Sequence, residues 1–172
     1  TLIRASVRGY LEIVQALLGR EGTDVNRRDV NGETALHLAA DIGNIEMARA
    51  LLQAGANART SNKEGQTPLH YASMKGHIEI VRALLEAGAG ADVRKCDAYH
   101  KSPISRACEG KHFEVFRALV EAGGDVNKLD SRGQTALHYA SMWGLTKGVR
   151  YLCVERGAGV NKSCLLYTSP SP

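Results

Sequence analysis

The sequence repeats itself about every 33 residues. Glu33-Thr34-Ala35-Leu36-His37-Leu38-Ala39-Ala40 recurs as Gln66-Thr67-Pro68-Leu69-His70-Tyr71-Ala72-Ser73. It returns as Lys101-Ser102-Pro103-Ile104-Ser105-Arg106-Ala107-Cys108 and as Gln134-Thr135-Ala136-Leu137-His138-Tyr139-Ala140-Ser141. Thr34, Thr67, Ser102 and Thr135 are 33, 35 and 33 positions apart, with the longer step at an insertion around Gly90-Ala91. A second signature keeps the same phase: Leu51-Leu52-Gln53-Ala54-Gly55, Leu84-Leu85-Glu86-Ala87-Gly88 and Leu119-Val120-Glu121-Ala122-Gly123. Outlying versions, Leu17-Leu18 leading to Gly22 and Leu152-Cys153 leading to Gly157, carry one extra residue. A repeat this short describes a stack of small units, because no single unit is large enough to bury a core.

Each unit reads as two short helices. The Thr or Ser suits an N-cap, its hydroxyl accepting from an orphan N–H. Pro68 and Pro103 follow at the first helical position, where a missing N–H costs nothing. Gly43, Gly76 and Gly144 suit a left-handed helix stop. A second helix then shows one apolar face, as in Ile78, Val81, Leu84 and Leu85, repeated by Ile45, Ala48, Leu51 and Leu52 and by Phe113, Phe116, Leu119 and Val120. Polar turns such as Asp29-Val30-Asn31-Gly32 and Asp130-Ser131-Arg132-Gly133 separate the units.

Composition narrows the function classes. The 172 residues carry 22 basic and 18 acidic side chains, a net charge of +4. The cations are scattered, which argues against a nucleic-acid stripe or an anionic-membrane anchor. No apolar run approaches the roughly 18 residues that span a bilayer. The start, Thr1-Leu2-Ile3-Arg4, does not read as a signal peptide and looks like the interior of something longer. Four cysteines are too few for a disulfide scaffold and fit a reduced, intracellular setting; the expected location is cytoplasmic rather than nuclear.

Thr67-Pro68-Leu69-His70, the inter-helix Gly, the Leu-Leu pair and Gly124-Asp125-Val126-Asn127 resemble ankyrin repeats. The resemblance covers residues 1–161, in units of about 1–25 (partial), 26–58, 59–93, 94–126 and 127–161. It implies a mainly α solenoid of antiparallel helix pairs joined by β-hairpin-like loops. Residues 162–172 match no part of the repeat and read as an unstructured tail. Their Leu165–Pro172 ending resembles adaptor read-through, so they are set aside as non-native. In the last unit, Thr146 and Gly148 replace apolar residues, which marks a C-terminal cap or a fraying end.

No catalytic, cofactor or small-molecule motif stands out. His37, His70 and His138 sit one unit apart, too far to share a metal. The resemblance implies that they bond to their own Thr and to backbone, tying neighbouring units together. Ser105 breaks that series, so its network should be weaker. Cys96 and Cys108 with His100 and His112 offer zinc-like ligands, but a projecting turn and a packed helix should not converge tetrahedrally. Lys111 stands where Gly43, Gly76 and Gly144 stand, and His100 where Gly32, Gly65 and Gly133 stand. That unit is therefore either strained or re-registered.

The resemblance further implies a non-catalytic scaffold, monomeric, that binds a protein partner on its concave side. The alternative is a regulatory or substrate-recruiting module of a kinase, ligase or channel whose functional domain lies elsewhere. Carried over by position, the partner-facing residues are Lys63, Tyr99, Lys101 and Arg132 on the turns, and Asp41, Ile42, Met74, Lys75, Met142 and Trp143 at first-helix ends. Trp143, the single tryptophan, and Tyr99 lie outside the apolar core pattern. Tyr71 and Tyr139 replace Leu38 and should be core.

Overall fold

The computed structural model describes residues 2–123, 126–127 and 129–158. The tail assigned to 162–172 and the Gly124-Asp125 part of one motif lie outside them. Among the described residues ten α-helices pair in sequence: α1 (Leu2–Val7) with α2 (Leu11–Leu18), α3 (Ala35–Ile42) with α4 (Ile45–Gln53), and α5 (Pro68–Lys75) with α6 (Ile78–Glu86). The last pairs are α7 (Pro103–Glu109) with α8 (Phe113–Gly123) and α9 (Ala136–Met142) with α10 (Thr146–Arg150). The insertion near Gly90 folds as one 3-10 turn, Ala89–Asp92. First helices form one row, α1 to α3 to α5 to α7 to α9, and second helices form the other. No strand occurs among the described residues; the connections are hydrogen-bonded turns.

Thr34, Thr67, Ser102 and Thr135 cap their helices as their spacing predicts. The core runs continuously along the stack. Ala39, Ala72, Ala107 and Ala140 are fully buried in the first row, and such small side chains let neighbouring helices approach closely. Met47, Ile80, Phe116, Leu119 and Leu152 fill the space between rows. With Ala and aliphatic residues filling the stack, few aromatics are needed.

The two units with an extra residue absorb it differently. In a regular unit, Ala56 N–H closes the helix end on the Leu51 carbonyl, 2.9 Å away. In the last unit Tyr151–Glu155 forms a π-turn, which accommodates one more residue. Ala158 N–H then reaches Leu152 O at 2.9 Å. In the first unit, α2 stops at Gly19 and the Thr23 hydroxyl donates to Leu17 O at 2.7 Å. Gly148 also gains a reason. A Cβ there would lie 2.8 Å from Leu145 and 3.1 Å from Phe116, so a neighbouring leucine fills the missing volume.

The irregular fourth unit keeps its register. Lys111 and His100 both take the left-handed conformation, each with φ of 57°. Gly110 is displaced into ordinary right-handed geometry, with φ of −77°. Of the two alternatives left by the sequence, strain is the one adopted. Each residue carries about 1–2 kcal/mol that glycine would avoid.

Candidate interaction surface

Four turns project from one edge of the stack, each built on a single acceptor. Asp29 Oδ1 accepts from Asn31 N–H (2.9 Å) and Glu33 N–H (2.8 Å). Asn62 repeats this with Glu64 and Gln66, Asp97 with Tyr99 and Lys101, and Asp130 with Arg132 and Gln134. This role is visible in the sequence only as an Asp or Asn at the repeat period, and the turn composition alone did not single it out. Adjacent turns are tied through backbone: Lys63 N–H to Asn31 O at 2.9 Å, and Ala98 N–H to Glu64 O at 2.8 Å.

The histidines couple turn, helix and neighbouring unit. His37 Nδ1 accepts from Thr34 N–H at 3.1 Å, so the ring proton sits on Nε2, which donates to Gln66 O at 3.1 Å. His70 repeats the arrangement with Thr67 and with Lys95 O at 3.0 Å. Burial pushes both imidazoles down, to about 4. Protonating Nδ1 would also remove the acceptor that the Thr backbone uses. His138 keeps the local half, 2.8 Å from Thr135 N. Ser105 closes a reciprocal cap with Ser102 inside its own unit and, among the described residues, reaches no neighbour.

The fourth unit compensates with a buried charge. The Asp97 side chain is fully buried and accepts from Arg106 Nη2 at 2.9 Å and Gln66 Nε2 at 3.2 Å. Burial alone would raise its pKa, but the Lys101 N–H, Arg106 and Gln66 bonds outweigh this and hold it below the usual carboxylate value.

The ten side chains assigned to the partner-facing surface fall into three groups. Tyr99 is 55% exposed, Met142 59% and Ile42 45%; with Lys63 and Arg132 they are open to solvent. Asp41 and Lys75 pair with each other across adjacent units at 3.4 Å, and Met74 is half-buried. Trp143 differs from the sequence reading. It is half-buried and packs against the core, its indole N–H enclosed with no acceptor among the described residues. Lys101 Nζ lies 4.7 Å from its ring centroid while also facing Glu109 at 3.5 Å.

Tyr139 is buried, as its position implies, and donates to Asp130 Oδ2 at 2.6 Å. Tyr71 is not core. Its hydroxyl bonds Glu33 and Asn62, and its ring walls a niche of about 450 Å³ with Lys63 and Glu64. A phenol that can bond the preceding turn has reason to keep its hydroxyl out of the core, and that turn residue is unknown until neighbouring units are aligned. The zinc-like set does not gather. Cys108 is buried in α7, His112 bonds Met74 O at 3.1 Å, and Cys96 lies beside Ser131. Among the described residues no His, Cys, Asp and Glu group has metal-binding geometry.

A stack of capped helix pairs with turns between them defines a helical repeat solenoid. The ankyrin-repeat profile, three copies, matches residues 2–95 and 89–164, and the chain belongs to the ankyrin-repeat family. Ankyrin repeats are generally protein–protein interaction modules and typically non-catalytic. The chain is 38% identical over 60 residues to uveal autoantigen with coiled-coil domains and ankyrin repeats protein of Bos taurus, covering 35% of this chain and 4% of that protein. It is 42% identical over 62 residues to BCL-6 corepressor-like protein 1 of Mus musculus, covering 36% and 4%. It is 60% identical over 40 residues to cell division cycle-related protein res1/sct1 of Schizosaccharomyces pombe, covering 23% and 6%. The chain thus spans only a small part of the length of these relatives. No helix among the described residues is long and apolar enough to cross a membrane.

Proposed function

We propose that the chain binds a protein partner along the surface formed by its projecting turns and first-helix ends, without catalysis. One observation carries this reading. Ile42, Tyr99 and Met142 are large apolar side chains that stay open to solvent on that surface while the core is closed beneath them. Aromatic residues and Met are favoured at interface centres. The turns are held by backbone bonds before any partner arrives, so little ordering entropy is lost on binding. A cytoplasmic setting belongs to the same proposal; the free thiols Cys96, Cys108 and Cys153 fit a reducing compartment.

The test is affinity capture with the repeat region followed by titration of the captured protein. Tyr99→Ala and Met142→Ala should each weaken binding by about tenfold or more, the scale of an interface hot spot, and leave the melting temperature nearly unchanged. Trp143→Ala is a poorer probe, since it removes packing as well. Undiminished affinity in both exposed variants would overturn the assignment of this surface.

A further inference from the structure

Between the turns before α3 and α5 lies a niche of about 450 Å³, lined by Asn31, Glu33, Asn62, Lys63, Glu64 and Tyr71. Its two carboxylates come from adjacent units and carry neutral donors. Tyr71 donates to Glu33, and Tyr99 donates to Glu64 at 2.9 Å. Among the described residues neither carboxylate forms an ion pair, although Lys63 lines the same niche. Other acids nearby are paired: Asp41 with Lys75 at 3.4 Å, and Glu109 with Lys101 at 3.5 Å. Burial first, and then Glu33, Glu64 and Asp41, push the Tyr71 phenol up, so the carboxylate fields overlap at its hydroxyl. The next junction shows what this level accepts. Arg106 stands at the Tyr71 position of the following unit, and Asp97 at the Asn62 position. The Arg106 guanidinium is 2.9 Å from Asp97 and 3.6 Å from Glu109, and the side chain is 14% exposed. There the chain supplies its own guanidinium to two carboxylates. In the niche a phenol replaces that arginine, and the carboxylates stand on the turns without a cation.

We propose that the niche is a subsite for an arginine side chain of the protein partner, which meets Glu33 and Glu64 beside the Tyr71 phenol. This rests on the partner-binding reading of the turn surface. A planar guanidinium has donors for more than one carboxylate and stacks on aromatic rings. Its charge complements the two acids that the chain leaves without a cation. Lys63 opposes such a ligand as a like charge.

The probe is Nα-acetyl-arginine amide, titrated into the chain with backbone amide NMR signals as the readout. Nα-acetyl-citrulline amide, the neutral isostere, is the control. The arginine compound should shift the signals of Asn31, Glu33, Lys63, Glu64 and Tyr71 saturably, and the citrulline compound should not. Glu33→Gln with Glu64→Gln should weaken binding by about fivefold or more. The rest of the spectrum reports that the variant is folded. Lys63→Ala should tighten binding by about twofold, the opposite of truncating a contact residue. Tyr71→Arg should supply a guanidinium from within, as Arg106 does one unit on, and abolish binding. The subsite is overturned by no saturable shift, by equal shifts with citrulline, or by full affinity in the double Gln variant. Any of these leaves the broader surface standing if Tyr99→Ala still weakens the captured partner. If the probe binds as expected but Tyr99→Ala and Met142→Ala leave that partner's affinity unchanged, the partner-binding reading fails instead, and the niche is no partner subsite.

Discussion

Two junctions in the same stack are held in different ways. Between the second and third helix pairs, polar bonds stitch every level. His37 reaches Gln66 O, Lys63 N–H reaches Asn31 O, Tyr71 reaches Glu33, Lys75 meets Asp41, and His77 reaches Asp41 O. Between the fourth and fifth pairs most of these are missing among the described residues. Ser105 stays within its own unit, and no backbone bond joins the Asp97 and Asp130 turns. Leu145 stands where His77 and His112 stand. The contacts described there include helix packing, Lys101 over Trp143, the Ser131–Cys96 contact, Phe113 edge-on to Tyr151, and Tyr151 to Glu121. The fold therefore needs the packed rows and tolerates loss of the stitches. The stitches set how firmly one unit holds the next, and the fourth–fifth junction should open first.

Acid should erase much of this difference, and it is the largest effect expected. His37 and His70 fold with values near 4 against an ordinary 6.5, so the unfolded chain binds more protons between those values. Stability should be flat above pH 6.5, fall as pH drops toward 4, and lose on the order of 3 kcal/mol per ring. Asp97, held below its usual value, adds its own loss only at still lower pH. Urea unfolding across pH measures this. A flat profile between pH 6.5 and 4 would remove the histidine stitches from the account.

A single substitution should turn the strong junction into a copy of the weak one. His37→Ser keeps a local cap of the Ser102–Ser105 kind and deletes the reach to Gln66 O. Leaving a buried carbonyl unpaired costs about 1–3 kcal/mol. Exchange should quicken on both sides of that junction. The weak junction has its own smaller handle. Lys101→Ala removes the cation from the Trp143 ring and should cost about 1 kcal/mol at most. That loss should appear as faster exchange in α9 and α10, with α3 to α6 unmoved.

Local structure was legible in the sequence wherever one residue type does one local job. The caps Thr34, Thr67, Ser102 and Thr135, the left-handed stops Gly43 and Gly76, and the apolar faces of α4, α6 and α8 follow from spacing alone. Side chains that answer to a neighbouring unit were not legible. Tyr71 is half-buried, its hydroxyl turned to Glu33 on the preceding turn, while Tyr139 is buried with Asp130 of its own turn. Trp143 is half covered because Lys101, a unit earlier, lies on it. These placements depend on pairings 9 to 42 residues apart, which periodicity does not encode.

The smallest expected effect runs toward greater stability. Gly43 and Gly76 underlie imidazoles: a Cβ on either would come within 2.6 Å of His77 or His112 ring atoms. Glycine is thus required there twice, for its left-handed backbone and for the ring above it. At Lys111 the left-handed backbone remains, but the following unit offers Leu145 in place of the imidazole. The second requirement is gone, and a side chain is tolerated at the cost of the first. Lys111→Gly should relieve that strain and stabilise by about 1 kcal/mol, partly offset by the greater freedom of glycine in the unfolded chain. His100→Gly should do the same on its turn, and the two should add, since they sit in separate turns. Thermal melts of the single and double variants measure this. Unchanged or lower melting temperatures would mean that Lys111 and His100 make contacts worth more than the strain they carry.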